Sequence, residues 1–312
     1  MPLLSALRLN MTCVPGSTTA NAERYRAALE MASYADAHGV TAIGCEEHHL
    51  AATGWLPAPL LMAAAVAGAT QNIRISVGAL LVPLYDPVRL AEDIAVLDQL
   101  SAGRVSYVAG IGYRPAEYHA VGKDFARRGK LMDESLAVLL KAWGDGPFEY
   151  HGQWIDVTPK PCSTPHPVLF IGGMSAAAAR RAARFGLPFC PPMPMPDIEA
   201  VYRAELERNG KQGFVFCPEN GNTVTHLTTD PEAARARCGE YFRNEEAEYL
   251  SWAVPDLQRP NGRMEILTPE ELIAQCRAGR TGVTLHPLIG GLPLDEGWAS
   301  LRLLAETVLP AL

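Results

Sequence analysis

Four consecutive polar residues, Glu-Glu-His-His at 46–49, carry side chains suited to acid–base chemistry. The run directly follows a short apolar stretch that predicts a buried strand. In extended backbone, alternate side chains share a face, which pairs Glu47 with His49 and Glu46 with His48. An imidazole can serve as a base near neutral pH, and a neighbouring carboxylate can fix its tautomer. We therefore take His48, Glu47 and His49 as the candidate catalytic residues.

The run 46–49 has two other interpretations. It could be a polar strand terminus whose side chains are simply solvated, or it could contribute ligands to a metal ion. The metal interpretation requires further ligands at a recognisable spacing, and no other group of His or Cys has one. The seven cysteines are odd in number and include no C-x-x-C pair. No metal site is therefore expected.

A second candidate site is the turn Gly-Gly-Met-Ser at 172–175, which stands between a predicted strand and a predicted helix. Glycines let the backbone approach a ligand closely, and the first turn of a helix offers N–H groups to a phosphate. The hydroxyl of Ser175 could add a hydrogen bond. The alternative is an ordinary strand-to-helix turn in which Ser175 only caps the helix.

Two further glycine-containing segments are less specific. Gly78 and Ala79 lie inside a predicted strand, where a glycine marks a bulge or a close approach to a ligand. Gly110 and Gly112 resemble part of a dinucleotide-binding fingerprint, but Pro115 stands at its third glycine position. A Rossmann site is therefore not favoured.

The elements that must position these residues alternate between short β-rich runs and helical runs, which is typical of parallel strands joined by helices. The predicted strands are Leu7–Cys13, Thr41–Cys45, Ile73–Val82, Arg104–Gly110, Val168–Ile171, Leu187–Cys190, Gly213–Cys217 and Gly282–His286. Eight such strands favour one closed (β/α)8 TIM barrel with insertions, over residues 1–312, rather than an open doubly wound sheet. In such a barrel the active site lies at the C-terminal ends of the strands.

Two segments interrupt this alternation. The stretch 144–167 is rich in Gly and Pro and predicts a small inserted hairpin. The stretch 240–265 carries several aromatic residues and predicts either a lid over a pocket or, more simply, a packed helix. Helix starts are predicted at Asp230-Pro231 and at Thr268-Pro269, the latter with a capping box completed by Glu271.

Composition narrows the class of protein. The chain has 312 residues, of which 48% are hydrophobic, and a net charge of −7, with no basic cluster. These values argue against nucleic acid as a partner. No apolar stretch is long enough to span a membrane, and no signal peptide is recognisable. The expectation is a cytoplasmic protein with reduced thiols.

Several motifs together resemble the bacterial-luciferase-like family of flavin monooxygenases, which includes relatives that use the deazaflavin F420. These motifs are EEHH at 46–49, VGALLVPLYDPVR at 77–89, LAED at 90–93, LDQLSAGR at 97–104 and AARFGLP at 182–188. The resemblance is clear over about residues 5–190 and weaker beyond. Their joint occurrence, in this order and at these distances, is specific, whereas no single motif is.

The resemblance implies that FMN is held at the strand ends. It aligns Gly78-Ala79 with a cis peptide beneath the flavin ring, and Gly172, Gly173, Met174 and Ser175 with the phosphate-binding turn. His48 corresponds to a histidine near the flavin, to which we assign proton transfer, and Glu47 would orient it. Tyr113 stands where some members carry a phosphate-binding arginine, so that Arg114 or Arg180 would supply the charge.

The same resemblance implies an FMN-dependent monooxygenase that acts on a small organic substrate. Because the chain lacks a nicotinamide fingerprint, reduced flavin is expected from a separate reductase. A homodimer through the early helices is also implied. The alternatives are an F420-dependent hydride-transfer enzyme, a flavin-binding protein without turnover, and a barrel hydrolase or isomerase that uses the Glu/His run.

Overall fold

The computed structural model describes residues 3–13, 21–217, 223–252 and 264–312. These residues divide into two compact units. The first unit contains the described residues of 1–57, 69–75 and 218–312, and the second contains 58–68 and 76–217.

Parallel strands alternate with helices along the described parts of the chain. The strands are β1 (Leu4–Leu9), β2 (Ala42–Cys45), β3 (Arg74–Leu80), β4 (Val105–Ala109), β5 (Phe148–Tyr150), β6 (Gln153–Ile155), β7 (Val168–Gly172), β8 (Phe189–Cys190), β9 (Val224–Leu227), β10 (Met264–Leu267) and β11 (Gly282–Leu285). The helices are α1 (Asn21–Ala37), α2 (Pro59–Ala69), α3 (Pro87–Ser101), α4 (Pro115–Ala120), α5 (Arg128–Trp143), α6 (Ala176–Phe185), α7 (Pro196–Arg208), α8 (Pro231–Ser251), α9 (Pro269–Arg277) and α10 (Leu294–Arg302). This alternation confirms the predicted α/β class.

The strands of the first unit follow the order β10-β9-β11-β1-β2, and every pair is parallel. In β1, the side chains of Leu7 and Leu9 are buried, while that of Arg8 between them is more exposed. Leu7 is in register with Leu285 of β11 and with Ile43 of β2, and all three are buried. The carboxyl ends of β1, β2 and β11 therefore lie side by side.

In the second unit, β3, β4, β7 and β8 follow one another in the sheet, and the β4–β7 and β7–β8 pairs are parallel. The first two residues of β3 and the last of α2 belong to the first unit. An antiparallel hairpin, β5–β6, pairs Phe148 with Ile155 within the segment 144–167. Val108 of β4 is in register with Phe170 of β7.

Helix caps in the sequence fix where several helices begin. Asp86 caps α3 by accepting hydrogen bonds from the backbone N–H groups of Val88 and Arg89, both at 3.0 Å. The predicted capping box of α9 is confirmed, since Thr268 accepts from the Glu271 N–H and donates its own N–H to the Glu271 carboxylate. Asp230 likewise caps α8, as predicted.

One predicted strand is wrong. Residues 213–217 form no strand and make only an isolated bridge, between Val215 and Phe189. Two strands that the sequence did not indicate, β9 and β10, lie further along the chain. Each has four residues, and polar side chains such as His226 and Glu265 interrupt their apolar pattern. A four-residue strand with a polar member gives too short an alternation to recognise.

Among the described residues, no helix combines the length and the apolar character needed to cross a membrane. The stretch 240–265, for which the sequence predicted either a lid or a packed helix, is described only in part. Its first residues belong to α8, and residues 253–263 lie outside the described residues.

Candidate active site

The candidate catalytic residues follow β2 directly, in the first unit. Glu47 is 3% exposed, and its Oε1 lies 2.8 Å from Nε2 of His49. The expectation that these two side chains share a face is thus confirmed. A carboxylate at this position fixes the orientation of the His49 ring and, in the neutral ring, directs the proton to Nε2. Nδ1 of His49 is then the nitrogen able to accept a proton.

His48 is 7% exposed and lies between two tryptophan rings. The centroid of its ring is 5.0 Å from that of Trp55, edge-on, and 4.9 Å from that of Trp252. The two indoles also contact each other, with centroids 5.5 Å apart. The aromatic surroundings leave little of the imidazole exposed to solvent. No local pattern indicates that these two tryptophans, nearly 200 residues apart in the chain, meet at His48.

Glu46, the remaining member of the run, is held by an arginine. Nη2 of Arg8, on β1, donates to Oε2 of Glu46 at 2.8 Å, and its Nε donates to the other oxygen. The same guanidinium lies 3.7 Å from Glu245 of α8. The partly exposed Arg8 thus links two carboxylates near the ends of β1 and β2.

His286 lies at the end of β11, and its side chain is fully buried. Its Nε2 is 3.4 Å from Oε2 of Glu245, and neither ring nitrogen makes a hydrogen bond within the described residues. Burial, followed by the positive charge of Arg8, lowers the pKa of His286 to about 3. The ring is therefore neutral at physiological pH. Thr12 donates a 2.9 Å hydrogen bond to the same oxygen, Oε2 of Glu245.

The candidate cofactor-binding residues all belong to the second unit. The peptide bond between Gly78 and Ala79 is cis, as the family resemblance implied. A Cβ atom added to Gly78 would lie 3.3 Å from Cγ2 of Val108, and one added to Gly110 would lie 2.7 Å from Cβ of Ala79. Gly110 is thus explained by the close approach of Ala79 and needs no dinucleotide.

Positions 172 and 173 of the next turn are also built so that only glycine fits. A Cβ on Gly172 would lie 2.8 Å from Cγ1 of Val108, and one on Gly173 would lie 2.8 Å from Cβ of Ala178. Gly173 moreover has a φ of 140°, which side-chain-bearing residues rarely adopt. Ser175 caps α6 by accepting a 3.2 Å hydrogen bond from the Ala178 N–H. The Ser175 hydroxyl proton can still be donated.

These residues fit the cofactor that the resemblance implies. Gly78 and Gly172 both lie against the half-buried side chain of Val108, and neither adds a side chain of its own. The turn at 173–175 leads into the N-terminus of a ten-residue helix, where N–H groups and the helix dipole favour an anion. Backbone without side chains, followed by an anion-binding helix start, suits an aromatic ring that carries a phosphate.

The positive charge for a phosphate is less evident. Arg114 is only 12% exposed and forms an ion pair with the buried Glu117 at 3.1 Å. Arg180, on α6, is exposed. Tyr113 is partly buried and follows Gly112, which has a φ of 70°. The assignment of Tyr113 to cofactor binding stays a prediction, as do those of the other site residues.

The family of the chain is established by comparison with known proteins. The luciferase-like monooxygenase family matches residues 9–274, and the chain belongs to this family.

Two relatives with known activities are similar over part of the chain. The oxygenase component of flavin-dependent trigonelline monooxygenase from Acinetobacter baylyi is 30% identical over 146 residues, which is 46% of this chain and 40% of that protein. The FMNH2-dependent dimethylsulfone monooxygenase of Pseudomonas putida is 30% identical over 128 residues, or 38% and 35% of the two chains. The matches cover about half or less of the length of these curated relatives.

Solved structures extend the similarity to the whole chain. Monooxygenase RslO1 from Streptomyces bottropensis superposes with a TM-score of 0.77 at 24% identity and covers 99% of both chains. An F420-dependent secondary alcohol dehydrogenase, in complex with an F420–acetone adduct, gives a TM-score of 0.68 at 18% identity and covers 100% and 99% of the two chains. At these identities the similarity establishes the fold, and it confirms the predicted (β/α)8 barrel.

Proposed function

We propose that this protein is an FMN-dependent monooxygenase that inserts one oxygen atom into a small organic substrate. The observation that carries the proposal is the turn 172–175. Crowding admits only glycine at positions 172 and 173, and Ser175 caps the start of α6. Family membership supplies the reaction class, and the two 30%-identical relatives are both named as flavin-dependent oxygenases.

In this proposal, Gly173, Met174 and Ser175 bind the phosphate through backbone N–H groups and the Ser175 hydroxyl. Gly78, Ala79 and Gly172 leave room for the flavin ring, and Tyr113 contributes to the same binding surface. When bound, the flavin supplies the redox chemistry with oxygen. The protein contributes binding, orientation and the exclusion of water.

The acid–base roles fall to the first unit. His48, enclosed by Trp55 and Trp252, is assigned proton transfer, because an imidazole shielded from water exchanges protons with the reacting groups rather than with solvent. Glu47 holds His49 through Nε2, which leaves Nδ1 of His49 as a second proton acceptor. Glu47 therefore acts as a positioning residue.

The comparison with relatives also bears on the partner protein. The Acinetobacter baylyi relative is named as the oxygenase component of its system, which supports a separate reductase that delivers reduced FMN. We also propose that the protein is a homodimer and acts in the cytoplasm, where its odd number of cysteines would stay reduced.

One alternative has a specific observation in its favour. The structural similarity to an F420-dependent alcohol dehydrogenase supports hydride transfer without oxygen. The two flavin-dependent relatives share 30% identity with this chain over 146 and 128 residues, and both are named as monooxygenases, so we favour FMN.

The test supplies the purified protein with chemically reduced FMN under ¹⁸O₂ and a panel of small ketones, aldehydes, sulfones and N-heterocycles. The proposal predicts a product that carries one ¹⁸O atom and that forms only when both protein and reduced FMN are present. A parallel reaction offers F420 and secondary alcohols without oxygen. Reduction of F420 there, with no labelled product in the first reaction, would establish the alternative instead.

A further inference from the structure

A second group of side chains with metal-binding chemistry lies in the first unit, apart from the candidate catalytic residues. Ligand atoms of His226, Cys238 and Glu296 all lie within 4.8 Å of one another. His226 comes from β9, Cys238 from α8 and Glu296 from α10. His226 and Cys238 are buried, and the side chain of Glu296 is 19% exposed.

The three donors suit one class of ion. Imidazole nitrogen, thiolate sulfur and carboxylate oxygen are the ligands that zinc takes in proteins. In a tetrahedral zinc site with bonds of about 2.0–2.3 Å, ligand atoms are roughly 3.5 Å apart. Separations of up to 4.8 Å thus require only a small inward movement of side chains. Two anionic ligands would also balance the charge of a divalent cation.

The surroundings hold these side chains in place. Nε of Arg237 donates to Oε1 of Glu296 at 2.6 Å, and this ion pair keeps the pKa of Glu296 below its usual value. Nη2 of Arg237 lies 3.4 Å from Oε2, so the guanidinium contacts both oxygens and orients the carboxylate, as the partner of a metal ligand does. The Phe242 ring lies 5.8 Å from that of His226, and Cys238 packs in an apolar cluster that includes Ile266.

We propose that His226, Cys238 and Glu296 bind a divalent transition-metal ion, of which zinc fits best, with one coordination position left for water. Without a metal, Cys238 is a buried free thiol. On binding, the sulfur–hydrogen bond is exchanged for a sulfur–metal bond, and the proton leaves to solvent without any change of oxidation state.

Such an ion would join β9, α8 and α10. Helix α8 also carries Glu245, whose carboxylate contacts Thr12 and His286. Trp252 directly follows this helix, and its ring contacts that of His48. A metal near the start of this helix would therefore stabilise the element that supports the candidate catalytic residues. Ligands from three distant elements leave no spacing motif, and for this reason no metal site was expected from the sequence.

The test is a titration of the full-length, EDTA-treated and dialysed protein with cobalt(II), which replaces zinc and reports on its ligands. The proposal predicts one cobalt per chain, a sulfur-to-cobalt charge-transfer band in the near ultraviolet, and loss of that band when zinc is added. Cys238→Ala should remove the band. Cys276→Ala, which removes a partly buried thiol on α9 outside the cluster, should keep it.

A second variant tests the proposal even if Cys238→Ala fails to fold. Glu296→Gln preserves the side-chain volume at a partly exposed position and keeps the thiolate. This variant should retain the charge-transfer band. Its affinity for cobalt should fall at least about tenfold, because replacing even a residue that only orients a metal ligand lowers metal affinity by that factor or more. Absence of the band in the wild-type protein, its persistence in Cys238→Ala, or unchanged affinity in Glu296→Gln would overturn the proposal.

Discussion

A Cβ atom on Gly172 would lie 2.8 Å from Cγ1 of Val108, closer than real Cβ contacts allow. Gly172→Ala should therefore push against Val108 and roughen the surface assigned to the flavin ring. Overpacking of this kind costs about 1–3 kcal/mol of stability. We also expect the Kd for FMN to rise about tenfold or more, since each 1.4 kcal/mol is a factor of ten. Urea unfolding and FMN fluorescence titration measure the two effects.

Gly68→Ala is the matched control, since Gly68 lies in α2 of the same unit with open space around it. This variant should gain about 0.5–1 kcal/mol, because alanine is the better helix former, and should bind FMN normally. The further variant Val108→Ala, added to Gly172→Ala, should recover part of the lost affinity. Equal FMN affinity in Gly172→Ala and the wild type would remove Gly172 from the binding surface.

His48→Ala should lower turnover by about 100- to 10,000-fold, the range typical of losing a general acid or base. Its affinity for FMN should change little, because the contacts to the flavin ring and phosphate are assigned to other residues, namely Gly78, Ala79 and the turn 172–175. Single-turnover rates with reduced FMN check the first expectation, and equilibrium titration checks the second. His119→Ala, at an exposed histidine, should leave both values as in the wild type. Wild-type turnover in His48→Ala would exclude His48 from the reaction.

The buried imidazole of His286 should make stability depend on pH. Its pKa is lowered from 6.5 to about 3 in the folded protein. As the pH falls below 6.5, the unfolded chain takes up a proton that the folded chain refuses, so the free energy of unfolding decreases. The slope that one group contributes is at most about 1.4 kcal/mol per pH unit.

His286→Gln should therefore flatten the decrease in stability between about pH 7 and pH 5, as measured by urea unfolding at several pH values. His38→Gln, at an exposed histidine, serves as the control and should keep the wild-type dependence of the free energy of unfolding on pH. If His286→Gln unfolds with the same pH dependence as the wild type, the ring is not held neutral by the fold.

Two helix-capping residues, Ser175 and Thr268, distinguish an effect on stability from an effect on FMN binding. Ser175 accepts from the Ala178 N–H at 3.2 Å, and Thr268 accepts from the Glu271 N–H at the same distance. Replacing either by alanine should cost about 1 kcal/mol. Only Ser175→Ala should also weaken FMN binding, about tenfold or more, because a hydrogen bond to a charged group is worth about 1.5–3 kcal/mol. Equal FMN affinity in the two variants would assign Ser175 a capping role alone.

The sequence predicted the elements with strong local signals. The caps at Asp230 and Thr268 are set by residues within a single turn, and the structure contains both. The alternation of strands and helices was likewise recognisable, because strands buried on both faces are nearly continuous in apolar residues. Strands β9 and β10 were missed because each has only four residues, interrupted by polar side chains.

The site was predictable where neighbours in sequence are neighbours in space. Glu47 and His49 meet because they alternate along one extended segment. Contacts between distant segments were not predictable, among them Trp252 against His48 and Glu245 against His286. These depend on how α8 packs, which local patterns do not encode. The cis peptide at Gly78-Ala79 was expected only from the family resemblance.

The central claim is that the second unit binds FMN through its glycine-rich strand ends. The most direct test is an anaerobic titration of the purified protein with oxidised FMN, reduced FMN and F420, followed by absorbance and fluorescence. We predict saturation at one FMN per chain, tighter binding of the reduced form, and no displacement by F420. Binding of F420 but not of FMN, or of neither cofactor, would contradict the account.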